Sequence, residues 1–92
     1  GIYNTLIGGQ AGDSLTDADG NVAVGLNALT TDTLGSKSTA VGQSALATQN
    51  FTTGTDTLNT AVGYFSGVNI TDGVQNTILG ANSGLTLYDW RR

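Results

Sequence analysis

Apolar and polar positions in this chain follow a five-residue pattern that returns at a nearly constant spacing. A polar residue is followed by Thr or Val, then by Leu, Ile or Ala, then by a branched aliphatic residue, then by Gly. The five copies are Asn4–Gly8, Asn21–Gly25, Ser38–Gly42, Asn59–Gly63 and Asn76–Gly80, and their starts lie 17, 17, 21 and 17 residues apart. Each copy is β-branched, bounded by turn-forming residues and too short for a helix, so positions 0 to 4, counted from the Asn or Ser, predict a strand. Self-similarity at a fixed short period predicts stacked coils in place of a globular core. The fold class expected is all-β: a parallel β-roll or β-solenoid of five coils of roughly 17 residues, starting at residues 4, 21, 38, 59 and 76 and forming one module over 1–92.

Alternation along the strand puts positions 1 and 3 on one face and positions 2 and 4 on the other. The first face carries Thr or Val together with Ile7, Val24, Val41, Val62 and Leu79. The second is Ala plus Gly in the three middle repeats (Ala23, Ala40, Ala61), which predicts close approach of another backbone. Gly8, Gly25, Gly42, Gly63 and Gly80 share position 4, which implies either positive φ or no room for a Cβ. Position 7 is always small: Ala11, Ala28, Ala45, Ser66, Ser83.

The second half of the repeat comes in two kinds. Repeats 1, 4 and 5 carry Gly at position 8 (Gly12, Gly67, Gly84) and an apolar residue at position 11 (Leu15, Ile70, Leu87). Repeats 2 and 3 carry Leu at position 8 (Leu29, Leu46), Asp32 or Gln49 at position 11, and Leu34 or Phe51 at position 13. The exchange is compensatory, each coil keeping one or two large apolar groups in its return segment. Seventeen residues accommodate two strands of about five residues and two connections, and five coils at about 4.8 Å each give a rod about 24 Å long. Such a coil is thin, and its Ala/Gly face is expected to be covered by partner chains in a closed symmetric oligomer, a homotrimer above all. The Asn column (Asn4, Asn21, Asn59, Asn76) has two readings. One is a ladder of amides, each bonding the next coil. The other is a turn residue tolerant of left-handed backbone.

Composition narrows what the coils can do. Ninety-two residues bound one domain, and a hydrophobic content of 38%, much of it Ala, makes a lone domain of this size marginal. There is no Cys to staple it, so oligomerisation is the remaining remedy. The chain has no Met, so Gly1 does not read as a natural start, and the chain is expected to be a fragment, a processed product or part of something longer. Lys37, Arg91 and Arg92 face seven Asp, and a net charge of −4 without a basic patch argues against nucleic-acid partners. No apolar run reaches the ~20 residues of a membrane span, so no membrane insertion is expected. With no His, Cys or Glu, catalysis would rest on Asp, Ser, Thr or Tyr alone, and no spacing assembles them, so no enzyme and no cofactor is expected.

The segments N-T-A-V-G-Y (Asn59–Tyr64), S-T-A-V-G-Q-S-A-L (Ser38–Leu46) and N-V-A-V-G-L-N-A-L (Asn21–Leu29) carry a family resemblance. They resemble the N-T-A-V-G-Y-x-A-L repeats of bacteriophage tail fibres, and also the head repeats of trimeric autotransporter adhesins. The likeness spans Asn4 to about Leu87. It implies a left-handed parallel β-roll, three chains around a fibre axis, other fibre or virion proteins as partners, and attachment to a cell-surface glycan or protein. The corresponding location is a virion tail fibre or an extracellular surface. Two alternatives are the head of a bacterial trimeric surface adhesin and a purely architectural virion or filament protein. The 17-residue period is longer than that usual in adhesin heads.

Other repeat families fit less well. Val24-Gly25-Leu26-Asn27-Ala28-Leu29 matches one unit of a hexapeptide acyltransferase helix, but 17 is not a multiple of six and the chain has no His to act as base. Gly8–Leu15 nearly matches a calcium nonapeptide but occurs once, and Asp17-Ala18-Asp19-Gly20 lacks the closing Glu of an EF-hand, so both read as turns. Position 13 is Asp in repeats 1, 4 and 5 (Asp17, Asp72, Asp89), which leaves a counter-ion between Asp72 and Asp89 as a hypothesis. Thr recurs at position 1 in four repeats, a single file in place of the paired files that a flat ice-binding plane needs.

Binding is expected where the pattern breaks. Repeat 3 is four residues longer than the rest, and insertions in repeat proteins map to loops on one face. Its connection, residues 47–58, makes Phe51, Thr53 and Thr55 candidates for receptor contact, unless Phe51 folds back onto the roll. Tyr64 and Phe65, at the variable positions 5 and 6, are the other candidates, as receptor anchors or as packing between subunits. Trp90 is expected to cover the open end of the stack or to begin the next module, and residues 1–3 read as the tail of a preceding coil.

Overall fold

The computed structural model describes residues 1–85. The repeats run as short strands β1 (Thr5–Ile7), β2 (Val22–Val24), β4 (Thr39–Val41), β6 (Thr60–Val62) and β7 (Thr77–Leu79), with β3 (Gly35–Ser36) and β5 (Thr55–Asp56) on the return side. The first five form one parallel sheet in the order β1-β2-β4-β6-β7, and β3 pairs with β5. Register follows the repeat: Thr5 faces Val22, Val22 faces Thr39, Thr39 faces Thr60 and Thr60 faces Thr77. Among the described residues the architecture is an all-β solenoid of about four turns without helix, with extents of 29 × 25 × 16 Å. The return segment of the fifth repeat, with Leu87, Asp89 and Trp90, lies outside the described residues.

The strands span three residues, where five were expected, because the backbone turns at position 4. Gly25, Gly42 and Gly63 have φ of 129°, 131° and 136°, a region that L side chains rarely enter. The Gly residues also stack. A Cβ on Gly25 would lie 2.7 Å from the carbonyl carbon of Gly42, and one on Gly63 2.6 Å from that of Gly80. Both reasons for Gly therefore hold together. The backbone that approaches closely is the next coil of the same chain.

Backbone bonds run between coils around the circumference. The Thr5 N–H donates to Asn21 O (2.8 Å) and Val22 N–H to Ser38 O (2.8 Å), while Gly25 N–H donates to Ile7 O (2.8 Å). Beyond the strand, the Asn27 N–H donates to Gly9 O and Gly12 N–H to Ala28 O, both at 2.9 Å, so the ladder continues through the turn. The path requires left-handed residues at positions 6 and 8 and just before position 0. Side-chain-bearing residues occupy many of these sites, including Gln10, Leu29, Lys37, Leu46, Leu58, Phe65 and Gln75.

The interior corrects the expected orientation of the sheet. Ala23, Ala40 and Ala61 are fully buried within the single chain, together with Ala28, Ala45, Leu29, Leu46 and Ile70. The small-residue face is thus the inside of the coil, roofed by the return segment, and it does not wait for partner chains. A thin coil leaves room for only one layer of large side chains, and the return segment supplies them. Leu29 and Leu46 do so from position 8 of repeats 2 and 3. In repeat 4, Ile70 does so from position 11, and a Cβ at Gly67 would lie 3.0 Å from Ile78 Cδ1.

The Asn column links coils through side chain to backbone. Asn4 Oδ1 accepts from Asn21 N–H (2.9 Å), Asn21 Oδ1 from Ser38 N–H (2.8 Å) and Asn59 Oδ1 from Asn76 N–H (2.9 Å). The Nδ2 groups of Asn4, Asn21 and Asn59 tie the strand to its own return segment, at Ala18 O, Gly35 O and Gly73 O. None of the four has positive φ, so they do not act as left-handed turn residues. Ser66 is less well placed: it is fully buried where repeats 1 to 3 have Ala, and its hydroxyl has no hydrogen-bond partner. Ser66→Ala is therefore expected to leave stability unchanged or raise it by about 1 kcal/mol, read from urea unfolding. A loss of similar size would mean that the hydroxyl is bonded.

Candidate functional site

The four extra residues of repeat 3 separate into two places. Gly35 pairs with Thr55, an offset of 20, against the regular offset of 17 between Val22 and Thr39, so three residues are added before Thr55. Thr39 pairs with Thr60, an offset of 21, so the fourth is added after Asp56. The three are an exposed tip, residues 52–54. The fourth is a bulge at Thr57, which turns fully inward.

Phe51, a candidate for receptor contact, is 7% exposed and stacks on half-buried Leu34 of the adjacent coil, whose N–H donates to Phe51 O at 3.2 Å. Thr53 is exposed and Thr55 half-buried, with Thr55 Oγ1 donating to Thr53 O at 2.9 Å, so the tip is internally braced. Beside it, Lys37 Nζ and Asp56 Oδ2 form a 2.9 Å surface ion pair between coils 2 and 3, solvated on both sides.

Tyr64 and Phe65 stand on the turn after β6. Tyr64 is 50% exposed and Phe65 half-buried, with ring centroids 4.5 Å apart and planes tilted by 46°. Coil stacking fixes their neighbours. The Phe65 N–H donates to Gln43 O (2.8 Å) and the Asn82 N–H to Tyr64 O (2.7 Å), so Gln43 and Asn82 flank the rings from adjacent coils. Both are exposed. The ring pair sits on the turn after the strand and the 52–54 tip on the return segment, so the two candidate regions occupy different parts of the coil.

The outer face of the main sheet, which carries the position 3 file, is uncovered. Leu79 is 77% and Ile7 60% exposed, with half-buried Val24, Val41 and Val62 in register between them. Position 1 adds Thr5, Val22, Thr39, Thr60 and Thr77, and no charged residue lies on this face. The bulky face of the strand is therefore the uncovered one.

Inside the coil, repeats 2 and 3 hold a buried polar chain. Asp32, Gln49, Ser38, Thr57 and Asn59 are all buried. Asp32 Oδ1 accepts from Gly35 N–H (3.2 Å) and Phe51 N–H (2.9 Å), and Asp32 Oδ2 accepts from Gln49 Nε2 (2.7 Å). Gln49 Nε2 also donates to Ser38 Oγ (2.9 Å), and Gln49 Oε1 accepts from Asn59 Nδ2 (2.8 Å). Thr57 Oγ1 lies 2.5 Å from Ser38 Oγ and accepts from Asn59 N–H at 3.3 Å. The bulged Thr57 thereby performs, for Asn59, the task that the Asn side chain performs elsewhere and that Ser38 is too short to reach. The sequence signal for it was available: the one repeat with Ser in the Asn column is also the long one.

Among the described residues, no three acidic, His or Cys side chains come together as metal ligands. Asp17 and Asp72 stand on repeats 1 and 4, which are not neighbours, and Asp89 lies outside the described residues. No family model, curated protein or solved structure matches the chain.

Proposed function

We propose that this chain is a structural module of a homotrimeric fibre, of the phage tail-fibre kind or a similar attachment appendage. Its work is mechanical: a stiff spacer whose turns display side chains to a host-surface glycan or protein. The observation that carries the reading is the uncharged file of Ile7, Val24, Val41, Val62 and Leu79, left in solvent by a coil whose interior is already filled. An extended apolar stripe of this kind marks an interaction surface, and a regular stripe along a rod suits identical neighbours around a common axis. The fibre, its location and its host contact rest on the sequence resemblance. The Tyr64–Phe65 pair, flanked by the exposed amides of Gln43 and Asn82, is the preferred contact, since rings stack on sugar or apolar faces while amides bond hydroxyls.

Val41→Asp tests the assembly. It places a charge in the middle of the outer face without touching the coil interior, so it is expected to yield folded monomers by analytical ultracentrifugation with an unchanged β-type circular dichroism spectrum. Oligomers as stable as the parent would move the interface elsewhere. Tyr64→Ala tests display: bound partners on a glycan array are expected to be lost while the oligomer persists. Dissociation on Tyr64→Ala would instead assign the rings to subunit packing.

A further inference from the structure

Near-identical coils pose a register problem. The strand segments Thr39–Val41 and Thr60–Val62 have the same sequence, and the Gly column, with the Ala column of repeats 2 to 4, offers successive coils the same contacts. Those columns do not distinguish the correct neighbour of a coil from the next one along. A solenoid built from them alone could fold with a coil skipped, at little loss of contact.

Repeats 2 and 3 differ from the others inside the coil. Asp32 presents an acceptor across the coil boundary and Gln49 presents the donor that meets it, at 2.7 Å. Gln49 is bonded on both sides of its amide, to Asp32 and Ser38 through Nε2 and to Asn59 through Oε1. Gly35 leaves the space that the carboxylate occupies. If coil 2 stacked on coil 4, Asp32 would face the Ile70 position, and a fully buried carboxylate oxygen would lose its donor. If coil 1 stacked on coil 3, Gln49 would face the Leu15 position. Either error strands a polar or charged group in a dry interior, which is among the most unfavourable single changes a fold can suffer.

We infer that the buried Asp32–Gln49 pair, completed by Ser38, Thr57 and Asn59, is a register key that fixes which coil stacks on which. Thr57 extends it, because the extra residue that closes the chain of bonds exists only in repeat 3. Buried polar groups are known to fix register where apolar packing is degenerate. Solvent is excluded here and no ligand is needed, so specificity of folding is the role left for a carboxylate that the coil could replace with Leu or Ile, as repeats 1 and 4 do at Leu15 and Ile70.

The test rewrites coils 2 and 3 into the other kind. Leu46→Gly with Gln49→Ile converts coil 3 alone and leaves Asp32 facing an aliphatic residue; its melting temperature is expected to fall. Adding Leu29→Gly with Asp32→Leu converts both coils and removes the stranded carboxylate; the melting temperature is expected to recover in part, because Gly35 N–H and Phe51 N–H still lack the acceptor that Asp32 Oδ1 gave them. After refolding from urea, the parent should give one set of amide resonances. The doubly rewritten chain should give two or more sets, with a several-fold smaller fraction in the parent register. A single set at the parent's refolding rate would overturn the inference. Should the doubly rewritten chain not fold, Asp32→Asn decides on the same readout. It keeps the volume and loses the acceptor for Gln49, so extra resonance sets support the key and one set at the parent rate overturns it.

Discussion

Gly42→Val is expected to abolish the stack. The residue sits at φ 131°, which a β-branched side chain does not adopt, and a Cβ there would run into the carbonyl group of Gly63 on the next coil. The backbone conformation alone costs about 1–3 kcal/mol. The collision adds to it, because the obstacle is a main chain held by its own ladder bonds and unable to yield as a side chain would. A total above about 4 kcal/mol removes most of the stability of a small domain near the low end of the usual range of about 5–15 kcal/mol. The variant should lack a cooperative thermal transition. Gly80 provides the control. Its φ of 117° is similar, but a Cβ there meets only Ser83 among the described residues, at 3.9 Å. Gly80→Ala should therefore lose the conformational term alone, and Gly42→Ala should unfold at markedly lower urea. Equal midpoints for the two Ala variants would remove the collision from the account.

Asp32→Ala is the second large effect. The carboxylate serves Gly35 N–H, Phe51 N–H and Gln49 Nε2, and all three residues are buried. Removing it leaves the Gly35 and Phe51 N–H groups without an acceptor in a site closed to water, and Gln49 Nε2 with Ser38 Oγ alone. Each unmade bond of this kind costs about 1–3 kcal/mol, and loss of one partner from a buried polar network typically totals about 3–5 kcal/mol. Chemical denaturation of Asp32→Ala should show a loss in that range. Thr53→Ala, on the exposed tip of the same loop, should stay within about 0.5 kcal/mol of the parent. A small effect at Asp32 would mean that water or a rearranged Gln49 replaces the carboxylate.

Much of this fold is legible in the columns of the repeat. The strand at each Asn, the Gly at its end, the parallel stacking and the two kinds of return segment follow from comparing Asn21–Leu29 with Asn59–Gly67. The inside of the coil is harder to read. Ala23, Ala40 and Ala61 point inward beneath Leu29 and Leu46, because in so narrow a coil one wall must be small for the other to be large. Bulk along a single strand does not reveal which wall is which. The left-handed residues were also hidden, since Leu29, Leu46 and Phe65 have no preference for positive φ. Their sister positions carry the clue: Gly12 and Gly67 stand where Leu29 and Leu46 stand, and Gly20 where Lys37 and Gln75 stand. Of the sequence-derived contact residues, Thr53 and Tyr64 are exposed, Thr55 and Phe65 half-buried, and Phe51 inward. Phe51 was ambiguous because an aromatic residue in an insertion is equally at home as an anchor or as filling. The bonds made by Thr57 depend on an extra residue after Asp56 that sequence spacing alone does not locate.

We propose that the outer strand face of this solenoid is covered by copies of itself. Static light scattering on the purified chain, over a range of concentrations and with Val41→Asp beside it, tests that most directly. The parent is expected to have a mass of three chains, held on dilution, and Val41→Asp a mass of one chain. A parent that is a stable, folded monomer at every concentration would contradict it.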